Sequence, residues 1–294
     1  MKSFKSYLIK KGYTDKTIKD FLMRITLFDR WLQSNSLTYN TFTYHKLLEY
    51  IGSLQTQGKS KNSINTTLRT LEYYYNYLKL PNIALNVRQR GIQIEQPLLL
   101  TEEELSSIYN NYNEPLQKGY FRYTNRLLLG LMIYQGLDKP EIYRLELQDI
   151  DLEKGTMYIA AGSRRKNSRI VSLQAHQILP LHEYITKYRV ISHPLQTGNP
   201  IESMKLFSPN CDKEHRLNDQ LKILITTIKS QNPEINILRL SQLRQSRIGI
   251  WITQHGLRKA QYLSGYKAIN AVERYKGMDM QDLTKQIEMF HPLQ

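Results

Sequence analysis

Cysteine, acidic residues and long apolar runs are all scarce in this sequence. Its single cysteine, Cys211, excludes an internal disulfide, and no set of cysteines and histidines has the spacing of a zinc site. The longest apolar stretch, around Leu127 to Tyr134, is far shorter than the roughly 20 residues that cross a bilayer. After Lys2 and Lys5, polar and apolar residues alternate where a secretory signal would have an apolar block. We therefore expect a soluble, cytoplasmic protein that requires no metal and no membrane.

Basic residues, by contrast, are abundant. The 41 lysines and arginines exceed the 26 aspartates and glutamates in a chain of 294 residues, which gives a formal net charge of +15. A polyanion is therefore the expected partner. A chain of this length suits one large domain or two smaller ones, each with its own core, and the pattern along the sequence favours two.

The first domain, residues 1–82, is predicted to be a small helical bundle. One amphipathic helix follows Thr14, a plausible N-cap, and a second runs from Tyr44 to Leu54. A third begins near Ser63 and ends before Pro81. The apolar stripe of the first of these helices consists of Ile18, Phe21, Leu22, Ile25, Phe28, Trp31 and Leu32.

Short polar and basic side chains cluster at the start of the third helix and in the segment after it. Residues 83–98 lack helical periodicity and have prolines near both ends, as expected of an extended basic linker. Such side chains can donate to phosphate oxygens and to base edges, although an ordinary solvated face is the alternative. The predicted DNA contacts are Lys59, Lys61, Asn62, Asn65, Arg69, Arg88 and Arg90.

The second domain, residues 99–294, is predicted to mix helices with a small β-hairpin. Thr101 and Glu104 have the spacing of a capping box at a helix start. An apolar helix is predicted over Asn125 to Gln135, and another helix begins at Pro140-Glu141. The fold class is therefore mostly α with a small sheet: a helical N-terminal domain and a mixed α+β domain.

The hairpin pairs two short strands, Thr156 to Ala160 and Arg169 to Leu173. Its connecting loop contains the cations Arg164, Arg165 and Lys166. A basic tip of this kind is either a solvated turn or a hairpin that inserts into a nucleic-acid groove. We count Arg165 among the predicted DNA contacts.

The stretch from Gln135 to Ile150 reads Q-G-L-D-K-P-E-I-Y-R-L-E-L-Q-D-I. It resembles the first motif of the tyrosine recombinases, roughly T-G-L-R-x-x-E-L-x-x-L-x-x-x-D-I, with Asp138 at the position of the catalytic arginine. This family includes the integrases of phages and conjugative elements and the chromosome-dimer resolvases. The resemblance covers nearly the whole chain. It implies a helical core-binding domain of the SAM-like type and a mixed catalytic domain, which close as a clamp around double-stranded DNA.

Further motifs follow in the order of this family. The box H-x-L-R-H resembles S-Q-L-R-Q, with its arginine kept at Arg244. The family's L-G-H resembles S-G-Y, and the nucleophilic tyrosine follows nine residues later as Tyr275. The hairpin lysine of the family maps onto Arg164, although the loop allows a shift to Arg165 or Lys166. The residues implied as the catalytic set are Tyr275, Arg244, Arg164, Lys166, Ser241, Tyr266 and Asp138.

The family's reaction assigns a task to each position. A tyrosine phenol attacks a DNA phosphodiester and forms a 3′-phosphotyrosyl bond, so neither a metal nor any other cofactor is required. Two arginines hold the charge of the phosphorane, and a hairpin cation protonates the leaving oxygen. Lys166 is a better acid than Arg164, because a guanidinium stays charged above a pH of about 12.

Asp138 conflicts with this chemistry. A carboxylate roughly 5 Å from a phosphate, at an effective dielectric of about 20, costs about 3 kcal/mol in addition to the lost arginine. A combined loss of about 6 kcal/mol would slow the reaction roughly ten-thousand-fold. Lys139, Arg144 or Arg247 would offset this loss if one of them reached the phosphate while Asp138 turned away or paired with Arg244.

Near-helical spacing of Met280, Leu283, Ile287 and Phe290 predicts an apolar C-terminal helix. The resemblance implies that this helix docks into a neighbouring protomer, so the expected assembly is a tetramer of identical or different recombinase protomers on paired DNA sites. Packing on its own domain is the alternative.

The sequence therefore predicts a DNA-binding tyrosine recombinase that serves integration or recombination of a mobile element. Three alternatives remain open at this point. The first is an inactive family member that binds DNA as an accessory or architectural subunit. The second is a transcriptional regulator that uses the clamp to bind an operator. The third is a relaxase similar to type IB topoisomerases, against which the compact N-terminal bundle argues.

Overall fold

The computed structural model describes residues 2–91, 98–113, 121–189, 204–207 and 214–276. The chain separates into two compact units, Met1–Glu95 and Gln96–Gln294, called here the N-terminal and C-terminal units. Within the described ranges, no helix is long and apolar enough to span a bilayer. The predicted C-terminal stripe from Met280 to Phe290 lies outside the described residues.

The N-terminal unit is a helical bundle whose helix starts are capped by hydroxyl groups. The helices are α1 (Lys2–Lys10), α2 (Asp15–Ser34), α3 (Tyr44–Thr56) and α4 (Lys61–Leu78). Thr14, Thr43 and Ser60 each accept a hydrogen bond from the backbone N–H three residues later, as N-cap residues do. The predicted cap at Thr14 is confirmed, and the helix predicted near Ser63 is α4, which begins at Lys61 after its cap Ser60.

Aromatic rings fill the core of this unit. The Phe28 ring lies 5.0 Å from Phe42 and 4.9 Å from Tyr50 between ring centroids. Helix α1 was not predicted from the sequence. Its apolar face consists of the buried Phe4 and Leu8 and the partly buried Tyr7, a helical spacing that covers little more than one turn and is short for a periodic signal.

The C-terminal unit surrounds a small sheet with helices. Its helices are α5 (Glu102–Asn111), α6 (Phe121–Ile133), α7 (Lys139–Arg144), α8 (Ala175–Glu183), α9 (Glu214–Gln231), α10 (Leu240–Ser264) and α11 (Asn270–Glu273). The predicted capping box of Thr101 and Glu104 is confirmed at the start of α5. Together with the bundle of the first unit, this arrangement confirms the predicted fold class.

The sheet has three antiparallel strands, β1 (Ile150–Asp151), β2 (Thr156–Ile159) and β3 (Arg169–Ser172), in the order β1-β2-β3. The predicted hairpin is β2 and β3, with Met157 opposite Val171 and both buried. The two-residue strand β1 was missed because it is too short to show an alternating pattern. Arg169, at the start of β3, lies on the buried face of the sheet.

Helix α10 carries the second family box and leads to the tyrosines of the candidate site. It bends at Gly256, whose φ of 77° and ψ of 169° lie outside the helical region, so that two helices meet there. Positive φ suits glycine, which has no Cβ to collide with the backbone. The helix ends at Ser264, and its C-cap Gly265 again has a positive φ, of 73°.

Candidate active site

A buried carboxylate, that of Glu141 in α7, lies at the centre of the candidate site. Its side chain has no exposed surface, and it forms ion pairs with cations from two other elements. Oε1 binds Lys166 Nζ at 2.8 Å and Arg169 Nη1 at 2.7 Å, while Oε2 binds Arg244 Nη1 at 3.0 Å. Glu141 therefore joins the hairpin and α10 to α7.

The charge of Glu141 is set by these cations. Burial alone would raise the pKa of this carboxyl, but Arg244, Arg169 and Lys166 oppose burial and lower the pKa from 4.5 to about 2. The carboxylate is therefore ionised at neutral pH. A second carboxylate, Asp138, joins the cluster through its ion pair with Lys166. Three cations then meet two carboxylates, which leaves one net positive charge.

Asp138 has a structural role at the position of the missing arginine. It is the N-cap of α7, where its Oδ1 accepts a hydrogen bond of 2.9 Å from the Glu141 backbone N–H. The Glu141 side chain in turn accepts one from the Asp138 backbone N–H, also at 2.9 Å, which completes a capping box. Aspartate is among the best N-cap residues. The ion pair of Asp138 is with Lys166, not with Arg244 as the sequence had left open.

The hairpin loop is held against the turn after α10. Lys166 and Tyr266 form an antiparallel bridge, Asn167 N–H donates to the Gly265 carbonyl at 2.8 Å, and Lys267 N–H donates to the Arg165 carbonyl at 3.0 Å. These contacts point Lys166 into the site and leave Arg164 and Arg165 exposed. A Cβ at Gly265 would lie 2.6 Å from Arg169 Nη1, so only glycine fits there.

Arg244 is buried beside this turn. Its Nη1 donates to the Gly136 carbonyl as well as to Glu141, and its Nη2 donates to the Ser264 carbonyl at 2.7 Å. The guanidinium carbon lies 5.4 Å from the centroid of the Tyr266 ring, and Lys166 Nζ lies 5.7 Å from the same centroid. Two cations therefore face one phenol ring.

Two tyrosines, Tyr266 and Tyr275, form a hydrogen-bonded pair with opposite shifts in acidity. Burial raises the pKa of Tyr266, but the charges of Arg244 and Lys166 outweigh burial and lower it. Burial raises the pKa of Tyr275, and the neighbouring Tyr266 raises it further, despite the hydrogen bond from Arg274. Tyr266 is therefore the more acidic phenol and accepts the hydrogen bond from Tyr275.

The Tyr275 side chain is only 2% exposed. It packs with Ile248, Trp251, Ile252 and Val272 in a small apolar cluster. The Nη2 of Arg274 donates to its hydroxyl oxygen at 2.6 Å. The tyrosine pair thus has the guanidinium groups of the buried Arg244 and the exposed Arg274, and the ammonium of Lys166, as its cationic neighbours.

Two family models match this chain: the phage integrase family over residues 99–282 and the phage integrase N-terminal SAM-like domain over residues 1–81. The chain belongs to the phage integrase family. The resemblance to tyrosine recombinases stated from the motifs is thereby confirmed.

Relatives of this phage integrase family member include recombinases. Tyrosine recombinase XerC of Staphylococcus aureus (strain USA300 / TCH1516) is 21% identical over 291 residues, which are 97% of this chain and 93% of that protein. The structure of XerH site-specific recombinase bound to a palindromic difH substrate, a post-cleavage complex, has a TM-score of 0.72 at 19% identity and covers 93% of this chain and 79% of that one. A lambda integrase dimer bound to a COC′ core site has a TM-score of 0.65 at 13% identity, with 93% of each chain covered. These structures share the fold.

Several predicted residues of this family member lie away from the cluster. Ser241 is exposed in the first turn of α10. None of the three candidates for replacing the missing arginine approaches the tyrosine pair: Lys139 binds Asn218, Arg247 binds the Ile133 carbonyl and Glu102, and the guanidinium of Arg144 lies against Gly162 of the hairpin loop.

Some predicted DNA contacts in the N-terminal unit have internal partners. The Asn65 side chain donates to the Gln89 carbonyl at 3.0 Å and accepts from the Gln89 N–H at 2.6 Å. Arg88 pairs with Glu72 at 2.7 Å, and Lys61 donates to the Gly91 carbonyl at 3.3 Å. The start of the predicted linker is therefore fixed to α4. Four further predicted contacts, Lys59, Asn62, Arg69 and Arg90, have exposed side chains.

Glu141, Arg169 and Arg274 were not predicted as site residues from the sequence. The D-x-x-E spacing of Asp138 and Glu141 was a readable signal of a capping box, but not of three ion pairs. Arg169 is separated from Glu141 by 28 residues, so no local pattern connects them. In the part of the chain that the structure describes, no three potential metal-binding side chains of His, Cys, Asp or Glu lie together.

Proposed function

We propose that this phage integrase family member is a site-specific DNA recombinase that serves a mobile element, with Tyr275 as its nucleophile. The observation that carries the proposal is the meeting of Lys166 and Arg244 at the Tyr266 ring, beside the Tyr275 hydroxyl. Relatives that are recombinases bound to DNA support the substrate class.

The proposed reaction joins the Tyr275 oxygen to phosphorus and breaks the bond from phosphorus to the 5′-oxygen of the next nucleotide. Arg244 and Lys166 favour the ionised form of Tyr266, and this phenolate accepts the phenolic proton of Tyr275. Lys166 donates a proton to the leaving 5′-oxygen. Arg244 stabilises the charge on the phosphorane. The bond energy is kept in the phosphotyrosyl link for rejoining.

We propose further that Lys59, Asn62, Arg69 and Arg90 contact the DNA backbone, as do the exposed Arg164 and Arg165 of the hairpin loop. Their exposure leaves them available to phosphates. The working assembly is proposed to be a tetramer of recombinase protomers on paired DNA sites. The protein is proposed to act in the compartment that holds this DNA, the cytoplasm.

The test is covalent trapping on DNA. Nicked duplexes tiled across the sequences that flank the encoding gene would be incubated with the protein, and adducts that resist detergent would be counted. An adduct from the native protein supports the recombinase. Binding without an adduct, together with an adduct from Asp138→Arg, would instead indicate an accessory DNA-binding subunit. Absence of both binding and adduct would overturn the proposal.

The charge of Asp138 is expected to slow cleavage. Asp138→Asn keeps an N-cap oxygen of similar quality, so the stability of α7 should change little. It removes a carboxylate from the site and releases Lys166 from one of its two partners. We expect the single-turnover rate of adduct formation to rise about tenfold, equivalent to roughly 1.4 kcal/mol. Asp151→Asn, which removes an exposed carboxylate, is the matched control. A slower rate in Asp138→Asn would mean that the carboxylate assists the reaction.

DNA affinity is expected to depend steeply on salt. A clamp that neutralises six or more phosphates should lose about 1000-fold or more in affinity between about 50 and 200 mM salt. Arg90→Ala and Lys59→Ala should each reduce the slope of log affinity against log salt by about one. Lys154→Ala is the control, because Lys154 is paired with Asp151 on the surface. Fluorescence anisotropy measures all four proteins, and a flat profile for the native protein would contradict DNA binding by phosphate contacts.

A further inference from the structure

The site needs a second phosphate-binding guanidinium, because Asp138 stands where the family motif has an arginine. Arg244 cannot supply the phosphate contacts of both arginines of the family. A guanidinium has five N–H donors. Three donors of Arg244 are used by the Gly136 carbonyl, Glu141 and the Ser264 carbonyl. At most two remain on the side of the Tyr266 ring.

Four other cations near the site already bind other groups of the protein. Lys166 and Arg169 bind carboxylates, Lys139 binds a side-chain amide, and Arg247 binds a main-chain carbonyl and a carboxylate. Arg169 has two donor nitrogens, Nε and Nη2, without hydrogen-bond partners. Its side chain nevertheless has no exposed surface and is held in β3 by Glu141, so it does not move together with Tyr275.

Arg274 differs from all of these residues. It directly follows α11 and precedes the nucleophile, and its Nη2 lies 2.6 Å from the Tyr275 hydroxyl oxygen. Its guanidinium carbon lies 4.8 Å from the centroid of the Tyr275 ring. The residue is exposed, and in the described part of the chain it forms no ion pair with a carboxylate. The guanidinium thus contacts the attacking atom and also Tyr266, while the residue as a whole stays exposed.

We propose that Arg274 is a further catalytic residue, which binds a non-bridging oxygen of the scissile phosphate in place of the arginine missing at position 138. The proposal rests on the proposed role of Tyr275 as nucleophile.

The chemistry follows from the atom that Arg274 contacts. When the Tyr275 oxygen bonds to phosphorus, the non-bridging oxygens of that phosphate come to lie beside the same oxygen atom. The forked guanidinium donates to the phenolate before attack and to a non-bridging oxygen as charge moves there. Since Arg274 and Tyr275 are adjacent in the chain, the guanidinium accompanies the phenol through any movement that exposes the buried Tyr275 to DNA.

The test compares two scissile groups on the nicked duplex that gives the native adduct. One is the ordinary phosphate, and the other is a methylphosphonate, in which a methyl group replaces a charged non-bridging oxygen. We expect Arg274→Gln to slow single-turnover adduct formation about 100-fold on the phosphate. On the methylphosphonate the loss should shrink to a few-fold, because the charge that Arg274 binds is gone. On the phosphate, the rate of Arg274→Lys should lie between the rates of the native protein and of Arg274→Gln.

Lys276→Gln is the matched control, since it removes an exposed cation on the other side of Tyr275. It should keep the native rate on both substrates. Equal losses for Arg274→Gln on both substrates would show that Arg274 only positions Tyr275, and an unchanged rate would show no role; either result overturns the proposal while leaving the recombinase intact. If the native protein forms no adduct on the phosphate, the proposed function fails and this proposal fails with it.

Discussion

Tyr275→Phe should form no covalent adduct with nicked DNA, while its DNA affinity stays within about twofold of the native value. The substitution removes only the hydroxyl oxygen that would bond to phosphorus, and no other group can replace it in that bond. The ring still packs with Ile248 and Trp251, so the fold is retained. Detergent-resistant adducts and fluorescence anisotropy measure the two quantities on the same duplex.

Tyr266→Phe is the informative partner variant, because Tyr266 is the more acidic phenol of the pair. A low pKa is a reason to suspect that Tyr266 itself attacks. Tyr266, however, is hydrogen-bonded to Tyr275, and its phenolate, which Arg244 and Lys166 favour, is placed to accept the Tyr275 proton. Tyr266→Phe should therefore slow adduct formation by about 10- to 100-fold without abolishing it, as loss of a proton acceptor does. An adduct that persists in Tyr275→Phe and disappears in Tyr266→Phe would reverse the two assignments.

Glu141→Gln should lower the free energy of unfolding of the C-terminal unit by about 3–5 kcal/mol. Glutamine has nearly the same shape, but it leaves the buried Arg169 and Arg244 without a counter-charge. Breaking a buried ion pair on one side is costly because the remaining charges stay desolvated. The loss would be measured by urea unfolding of the full chain.

Tryptophan fluorescence can follow the unfolding of the C-terminal unit separately. It has two tryptophans, Trp31 in the N-terminal unit and Trp251 in the C-terminal unit. In a Trp31→Phe background, fluorescence reports the surroundings of Trp251 alone. Glu103→Gln removes an exposed carboxylate from the first turn of α5 in the same unit and should lower the urea midpoint only slightly, because surface charges at a helix start contribute little. A midpoint for Glu141→Gln equal to that of Glu103→Gln would contradict the role of Glu141 as the centre of the cluster.

The Glu141 carboxylate also makes the stability of the C-terminal unit depend on pH in the acid range. The pKa of Glu141 is lowered from 4.5 to about 2 in the folded protein. A carboxyl group whose pKa is lowered by folding stabilises the folded state at pH values above its unfolded-state pKa. This stabilisation is lost as the pH falls toward the folded-state pKa. The contribution, about 3 kcal/mol, should therefore disappear between about pH 4.5 and 2 in the native protein. It should be absent from the pH profile of Glu141→Gln.

The family and the helices with clear apolar stripes were readable in the sequence. Helix α2 with its cap at Thr14, the capping box at Thr101 and the β2–β3 hairpin all depend on neighbours within a few residues, which is the range over which periodicity and capping act. Helix α1, whose apolar spacing covers little more than one turn, and strand β1, which has two residues, were missed.

The placement of the loop cations required the tertiary structure. Arg164, Arg165 and Lys166 were equivalent in sequence because a loop has no period that fixes its register. Backbone bonds between Asn167 and Gly265, and between Lys267 and Arg165, decide that Lys166 points inward. A contact between segments about 100 residues apart leaves no local pattern to read.

By itself, the sequence determined the family, the two-domain helical architecture, the basic charge and the substitution of Asp138 for an arginine. Only the tertiary structure decided what that substitution does: Asp138 caps α7 and binds Lys166, while Glu141 joins Arg169 and Arg244 beneath the two tyrosines. The physical reason is one of range. Helix propensity and capping act between near neighbours, whereas the charge and acidity of a buried group depend on every residue that folding brings within a few ångströms.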